Sequence, residues 1–172
     1  MAEKYSVVRT DNMMGTDVGT YLDSVRFYDA TNKMAAIENG NVVLVGDLLT
    51  GEREVHKATP VAANSDLKKV ALVANPEVMY DERKRGLDQY INEAGKAVRV
   101  YYLHSGDEFG ITAEGLDIAT GHTVTPGTSI VELKAGTKLH IGASATASTT
   151  QVGKVIAVEK AGRYTYYVIR VA

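Results

Sequence analysis

Hydrophobic positions along this chain come in short runs punctuated by glycine, and the runs change character from one end to the other. In the first 33 residues neither a strand nor a helix period runs for long. Tyr5 to Arg9 reads as a short β piece, broken by Met13-Met14-Gly15. Val18, Tyr21, Leu22, Val25 and Tyr28 then fall near helical spacing, which predicts one short helix. Residues 1–33 are therefore read as an N-terminal arm, lying over the core or onto a neighbour. Tyr5, Val7, Val8, Met13 and Met14 are its candidate contact residues. The first three would supply a strand for addition to a sheet edge, and the two methionines adaptable apolar contacts.

From Met34 the punctuation becomes regular. Asn39-Gly40 is a hairpin signal between apolar runs, Gly46-Asp47 and Gly51-Glu52 mark further turns, and "DLKKVALVANP" is a buried-type strand stopped at Asn75-Pro76. One helix is expected around residues 81–95, because Leu87, Tyr90, Ile91 and Ala94 make a single apolar stripe. Asp81 is placed as its N-cap and Gly95 as its left-handed terminator. From Ala97 onward the chain reads as β. It shows two strands around the 104–108 turn, two more in "GTSIVELKAGTKLHIGAS", and a terminal hairpin over Lys160-Ala161-Gly162. Residues 143–150, "ASATASTT", read as a small, exposed and mobile polar loop. The expected fold is thus mainly β, a small barrel or sandwich-like domain over 34–172 with one inserted α-helix and an N-terminal arm.

Composition narrows the chemistry. The 172 residues contain no cysteine, which removes thiol catalysis, cysteine-based zinc sites and disulfides. Nineteen basic against 21 acidic residues leave a formal charge of -2, too balanced for a dedicated nucleic-acid binder. No apolar run is long enough to cross a membrane, and the first residues lack the apolar stretch of a secretory signal, so a soluble protein is expected. Ten tyrosines against two phenylalanines and no tryptophan lean towards strands and half-wet contact surfaces.

The densest polar cluster is "YYLHSGDEFGIT", residues 101–112, where His104, Ser105, Asp107 and Glu108 suggest a hydrolase site. A triad needs its members brought together in space beside an oxyanion hole, whereas neighbours on a strand diverge. The same form, glycine followed by a polar residue and then a strand, recurs at Gly46, Gly106 and Gly136, which favours a turn device over chemistry. The four histidines, His56, His104, His122 and His140, show no metal-ligand spacing. No phosphate-binding glycine motif occurs. No catalytic residue, cofactor or metal site is expected. Tyr164 and Tyr166, on one strand face, are a candidate sugar platform, with cross-strand packing the competing use.

The stretches "MYDERKRGLDQYINEAGKAVRVYYLHSGDEFGIT", "GTSIVELKAGTKLHI" and "GKVIAVEKAGRYTYYVIRV" resemble small structural proteins of tailed bacteriophages and prophages, of the head (capsid) decoration type. The phrase "LKAGTKL" is also similar to turns in β-rich head-stabilising proteins of lambda-like phages. This resemblance implies a non-enzymatic cementing module on the outer capsid shell. Its expected partners are the major capsid protein and further copies of itself, as a trimer or other homo-oligomer, without nucleic acid or membrane. It would be made in the host bacterial cytoplasm and reside in the virion. Two alternatives are another virion subunit, such as a tail-tube or head–tail joining protein, and a carbohydrate-binding or adhesin-like module.

Overall fold

Strand-forming runs such as Val42-Val43-Leu44-Val45 and Val70-Ala71-Leu72-Val73 are apolar without alternation, which a half-exposed strand would not tolerate. The computed structural model, which describes residues 4–79 and 86–172, shows why. Its strands form two β structures laid against each other, and several strands face a core on both sides. The protein is mainly β.

The first structure is a closed five-stranded barrel. It comprises β2 (Leu22–Phe27), β3 (Val42–Leu48), β4 (Val55–Thr59), β5 (Val70–Val73) and β6 (Val98–Tyr102), in the order β2-β4-β3-β5-β6. Antiparallel pairing of β2 with β6, from Leu22 opposite Tyr101 to Val25 opposite Val98, closes the ring, and β2 runs parallel to β4. Val25, Phe27, Val43, Val45, Ala71, Val73, Val98 and Val100 fill its interior.

The second structure is a seven-stranded sheet. Its members are β1 (Val8–Asn12), β7 (Glu108–Thr112), β8 (Leu116–Ile118), β9 (Ile130–Glu132), β10 (Leu139–Gly142), β11 (Gln151–Ala161) and β12 (Tyr164–Val171). Their order is β1-β7-β12-β11-β9-β10-β8. The alternate residues of the barrel strands, Val42, Val70, Leu72, Tyr101 and Leu103, pack against Phe109, Ile111, Val131, Leu139, Ile141, Val155, Ile169 and Val171 of this sheet. Period-two alternation therefore divides β5 and the Val42–Val45 part of β3 between two cores, and β6 contributes to both, while Gly46, Asp47 and Leu48 of β3 and Arg99 of β6 face solvent. β11 crosses β12 so closely that a side chain at Gly153 would meet the Arg170 backbone carbonyl, which accounts for glycine at this bulged position.

Several sequence expectations change here. The helix expected around residues 81–95 is not formed over 86–95, and residues 81–85 lie outside the described residues. Leu87–Gln89 is a single 3-10 turn, and the chain then bridges to Ile37 through Asn92. The cause is tertiary hydrogen bonding. Asn92 and Ile37 exchange backbone bonds of 3.1 and 3.0 Å, and the buried Asn92 amide donates to the Ile37 carbonyl and to Asn39. A helix would surrender those bonds, and Leu87 on the supposed apolar stripe is in fact exposed. Gly95 does take positive φ, but in a turn closed from Lys96 N–H to Glu93 O.

The α-helix of the described residues is instead α1, Met14–Asp17. The helical spacing from Val18 to Tyr28 yields a 3-10 turn, Gly19–Tyr21, followed by β2. Residues 1–33 thus supply one outer strand to the sheet and one closing strand to the barrel. Asn39-Gly40 turns as expected, with φ +85° at Gly40, but no paired strand precedes it. Gly46-Asp47 falls inside β3, where the register against β4 shifts. The terminal hairpin forms, β11 with β12 over Gly162.

Candidate functional site

The turn 104–107 joins a barrel strand, β6, to a sheet strand, β7, and Asp107 is spent on that crossing. The Asp107 carboxylate is buried, 3 % exposed for the residue, and accepts from its own turn at the His104 N–H, 2.9 Å away. Its other oxygen accepts from the Met14 N–H at 2.8 Å, which fastens the start of α1. Asp107 N–H donates back to the His104 carbonyl at 3.0 Å, and Gly106 stands at φ +95°. Gly106 N–H and Asp107 O bond Val171 of β12, so three distant parts of the chain meet at this turn.

The His104 ring takes no part in a triad. Its Nδ1 lies 3.1 Å from the Tyr102 carbonyl, so that nitrogen carries the proton in the neutral ring. Asp107 is 3.9 Å from the same nitrogen, beyond hydrogen-bond reach. Ser105 is exposed and has no hydrogen-bond partner among the described residues, and Glu108 pairs with Arg170 at 3.2 Å. The His104 ring packs instead on Tyr21, with centroids 4.0 Å apart.

The other histidines are dispersed. His56 Nδ1 contacts the Gly46 carbonyl at 3.0 Å, His122 contacts Ser129 Oγ at 2.9 Å, and His140 contacts Asp117 at 2.9 Å. Among the described residues no group of three or more His, Asp or Glu side chains is arranged to hold a metal. One row of charges could not be read from spacing: Glu132, His140 and Asp117 are register partners on β9, β10 and β8. Lys134 and His140 hold the Asp117 carboxyl below its ordinary value. Burial opposes the charge on Glu132, but hydrogen bonds from Thr146 and Thr149 and the nearby His140 outweigh it and lower that carboxyl too. Those bonds run from Thr146 N–H at 2.8 Å, Thr146 Oγ1 at 2.5 Å and Thr149 Oγ1 at 2.6 Å. The polar loop 143–150 is exposed over most of its length and yet tied to the sheet by one carboxylate.

The expected contact residues of the N-terminal segment separate into two groups. Val7 and Met13 are each 2 % exposed and belong to the protein's own core, Met13 within the cluster between barrel and sheet. Val7 N–H donates to Thr112 Oγ1 at 3.1 Å. Tyr5 is half-buried, its N–H on the Asp88 carbonyl at 2.9 Å. Val8 pairs with Ile111, and Met14 is exposed. β1 is a terminal strand of the sheet, hydrogen-bonded to β7 on one side.

Tyr164 and Tyr166 share a face, as the strand period requires, but their rings are covered. The Arg163 guanidinium lies 4.9 Å from the Tyr164 ring centre, and Arg9 lies 5.0 Å from that of Tyr166. Arg9 reaches across β7 and β12 to Glu159 on β11 at 2.6 Å, and Tyr166 packs over the bare backbone of Gly110. This is cross-strand packing with cationic caps, and it leaves no open tyrosine platform.

The fold therefore defines a mainly-β protein in which a closed barrel and a larger sheet of separate strands share one hydrophobic core. No protein-family model, no curated protein and no solved structure matched this chain.

Proposed function

We propose that this protein is a head decoration protein of a tailed bacteriophage or prophage, cementing the outer face of the capsid by binding the major capsid protein. The observation that carries the reading is the placement of β1. The N-terminal segment, fastened through Met14 to Asp107, presents Val8–Asn12 as the last strand of a seven-stranded sheet. A terminal strand with one side unused is a site for strand addition by a neighbouring chain. Val8 and the exposed Met14 stand beside that edge, whereas Val7 and Met13 serve as its anchors. The phrases in 79–112, 127–141 and 153–171 that resemble phage head proteins give the partner its class.

Cementing then follows from mass action. A protein that binds the assembled shell and not its separated subunits adds to the work of separation by RT ln(1 + [L]/Kd), about 2.7 kcal/mol per site at a hundredfold excess over Kd. Many copies along a lattice multiply that gain without any catalysis. Virion localisation and association with further copies of the chain belong to the same proposal.

The test is addition of the purified protein to undecorated capsids of the source phage. Expected are saturable binding, density for the chain on the outer shell by electron microscopy, and a higher rupture temperature. Rupture at the same temperature with and without bound protein would refute cementing. Rings or tubes formed by the protein alone would point to a tail-tube or joining subunit instead.

A further inference from the structure

A separate site emerges where three features of the barrel converge that the strand-addition reading does not use. The first is the register shift in β3, which turns Gly46 and Asp47 out of the ladder. His56 fixes that protrusion by its 3.0 Å contact with the Gly46 carbonyl. The second is the 3-10 turn Leu67–Lys69, capped by Asp66, which presents Lys68 and Lys69 side by side. Both are exposed, and neither ammonium has a carboxylate partner among the described residues. The third is the packed Tyr21–His104 ring pair, buttressed by Tyr102, whose hydroxyl is held by Asp23 at 2.9 Å.

These groups line one hollow of about 440 Å³, inside the range of roughly 300–1,000 Å³ in which small-molecule sites fall. Its chemistry is mixed in a way that discriminates among ligands. Two unpaired ammonium groups call for an anion. Asp47 on the same rim repels a bare anion but accepts hydrogen bonds from hydroxyls. The Tyr21 and His104 rings offer an apolar wall of the kind that packs against the C–H face of a sugar ring. A neutral sugar would leave the lysines unneutralised, and an inorganic anion would leave Asp47 and the rings unused. We infer that this hollow binds an acidic saccharide, a sugar unit bearing a carboxylate, with Lys68 and Lys69 on the carboxylate, Asp47 on ring hydroxyls and Tyr21 with His104 as the wall. Unlike Tyr164 and Tyr166, this aromatic pair has no guanidinium over it among the described residues.

The experiment is a titration of the full chain, 15N-labelled, with trigalacturonate at low salt, followed by amide shifts. Maltotriose serves as the neutral control, and acetate and inorganic phosphate as charge-only controls. Saturable shifts confined to residues 20–21, 45–47, 68–69 and 102–104 are expected with trigalacturonate, and none with maltotriose. The exposed double variant Lys68→Glu/Lys69→Glu should weaken binding at least tenfold with an unchanged melting temperature. Asp47→Asn should weaken trigalacturonate about threefold while leaving acetate binding no weaker, because the repelling charge is gone. The inference fails if no saturable shift occurs, or if maltotriose binds equally. It fails also if phosphate reproduces the effect with Asp47→Asn silent, or if the double lysine variant binds as the parent does.

Discussion

Removing the Asp107 carboxylate tests most directly whether the 104–107 turn is a structural clamp. In Asp107→Ala the His104 and Met14 N–H groups, bonded at 2.9 and 2.8 Å, both lose their acceptor. A hydrogen bond to a charged group contributes about 1.5–3 kcal/mol, and an orphaned buried donor loses that in full. Met14 is exposed, so water can replace part of its bond, whereas the half-buried His104 amide has less access. The expected loss is therefore about 3–4 kcal/mol, in the lower part of the roughly 3–6 kcal/mol that two such bonds sum to. For a chain of this length that lowers Tm by roughly 6–16 °C, at about 2–4 °C per kcal/mol. Urea unfolding monitored by tyrosine fluorescence gives the free energy, and amide exchange at Met14 gives its location. Asp107→Asn keeps one carbonyl acceptor and should lose about half as much. If Asp107→Ala unfolds within about 1 kcal/mol of the parent, or if exchange at Met14 is unchanged, the clamp is refuted.

Acid should free the loop 143–150. Glu132 has a lowered carboxyl in the folded state, so its contribution is full above the ordinary glutamate value and is lost as pH falls through and below about 4. Exchange at Thr146 is expected to accelerate over that window in the parent, and to be fast and pH-insensitive in Glu132→Gln once intrinsic rates are divided out; a parent with no acid response contradicts this. Gly153→Ala should cost about 2–3 kcal/mol, because its methyl group meets the Arg170 carbonyl and neither backbone can retreat without breaking the hairpin; denaturant midpoints decide it. Arg9→Ala removes the cap on Tyr166 and the bridge to Glu159, but on a half-exposed side chain the expected loss is only about 0.5–1 kcal/mol and should shrink in high salt.

Local chemistry carried most of what was legible in the chain alone. Gly51, Gly106 and Gly162 take positive φ at turns, as their neighbours suggested, and the β9–β10 and β11–β12 hairpins follow from apolar runs on either side of such turns. The reading failed where partners lie far away. Asn92 looked like a polar residue on a helix, because its claims on Ile37 and Asn39 span more than fifty residues. The parallel pairs β2–β4 and β8–β10 have no turn between them to announce them. At the candidate site, Asp107 was recognisable as a turn former, but its bond to Met14, 93 positions away, had no local sign. Lys68 and Lys69 stood in a stretch read as a buried-type strand, and it is the fold that gathers them around one hollow with Tyr21 and His104.

The double service of β3, β5 and β6 bears on how the molecule yields to force. Because the buried side chains of these strands are divided between the barrel and the seam with the sheet, neither half can open while the other stays whole. A tug on β1 at the sheet margin passes through Met13 to the same seam, where the load is shared by strands from both ends of the chain. Such a body gives way all at once or not at all.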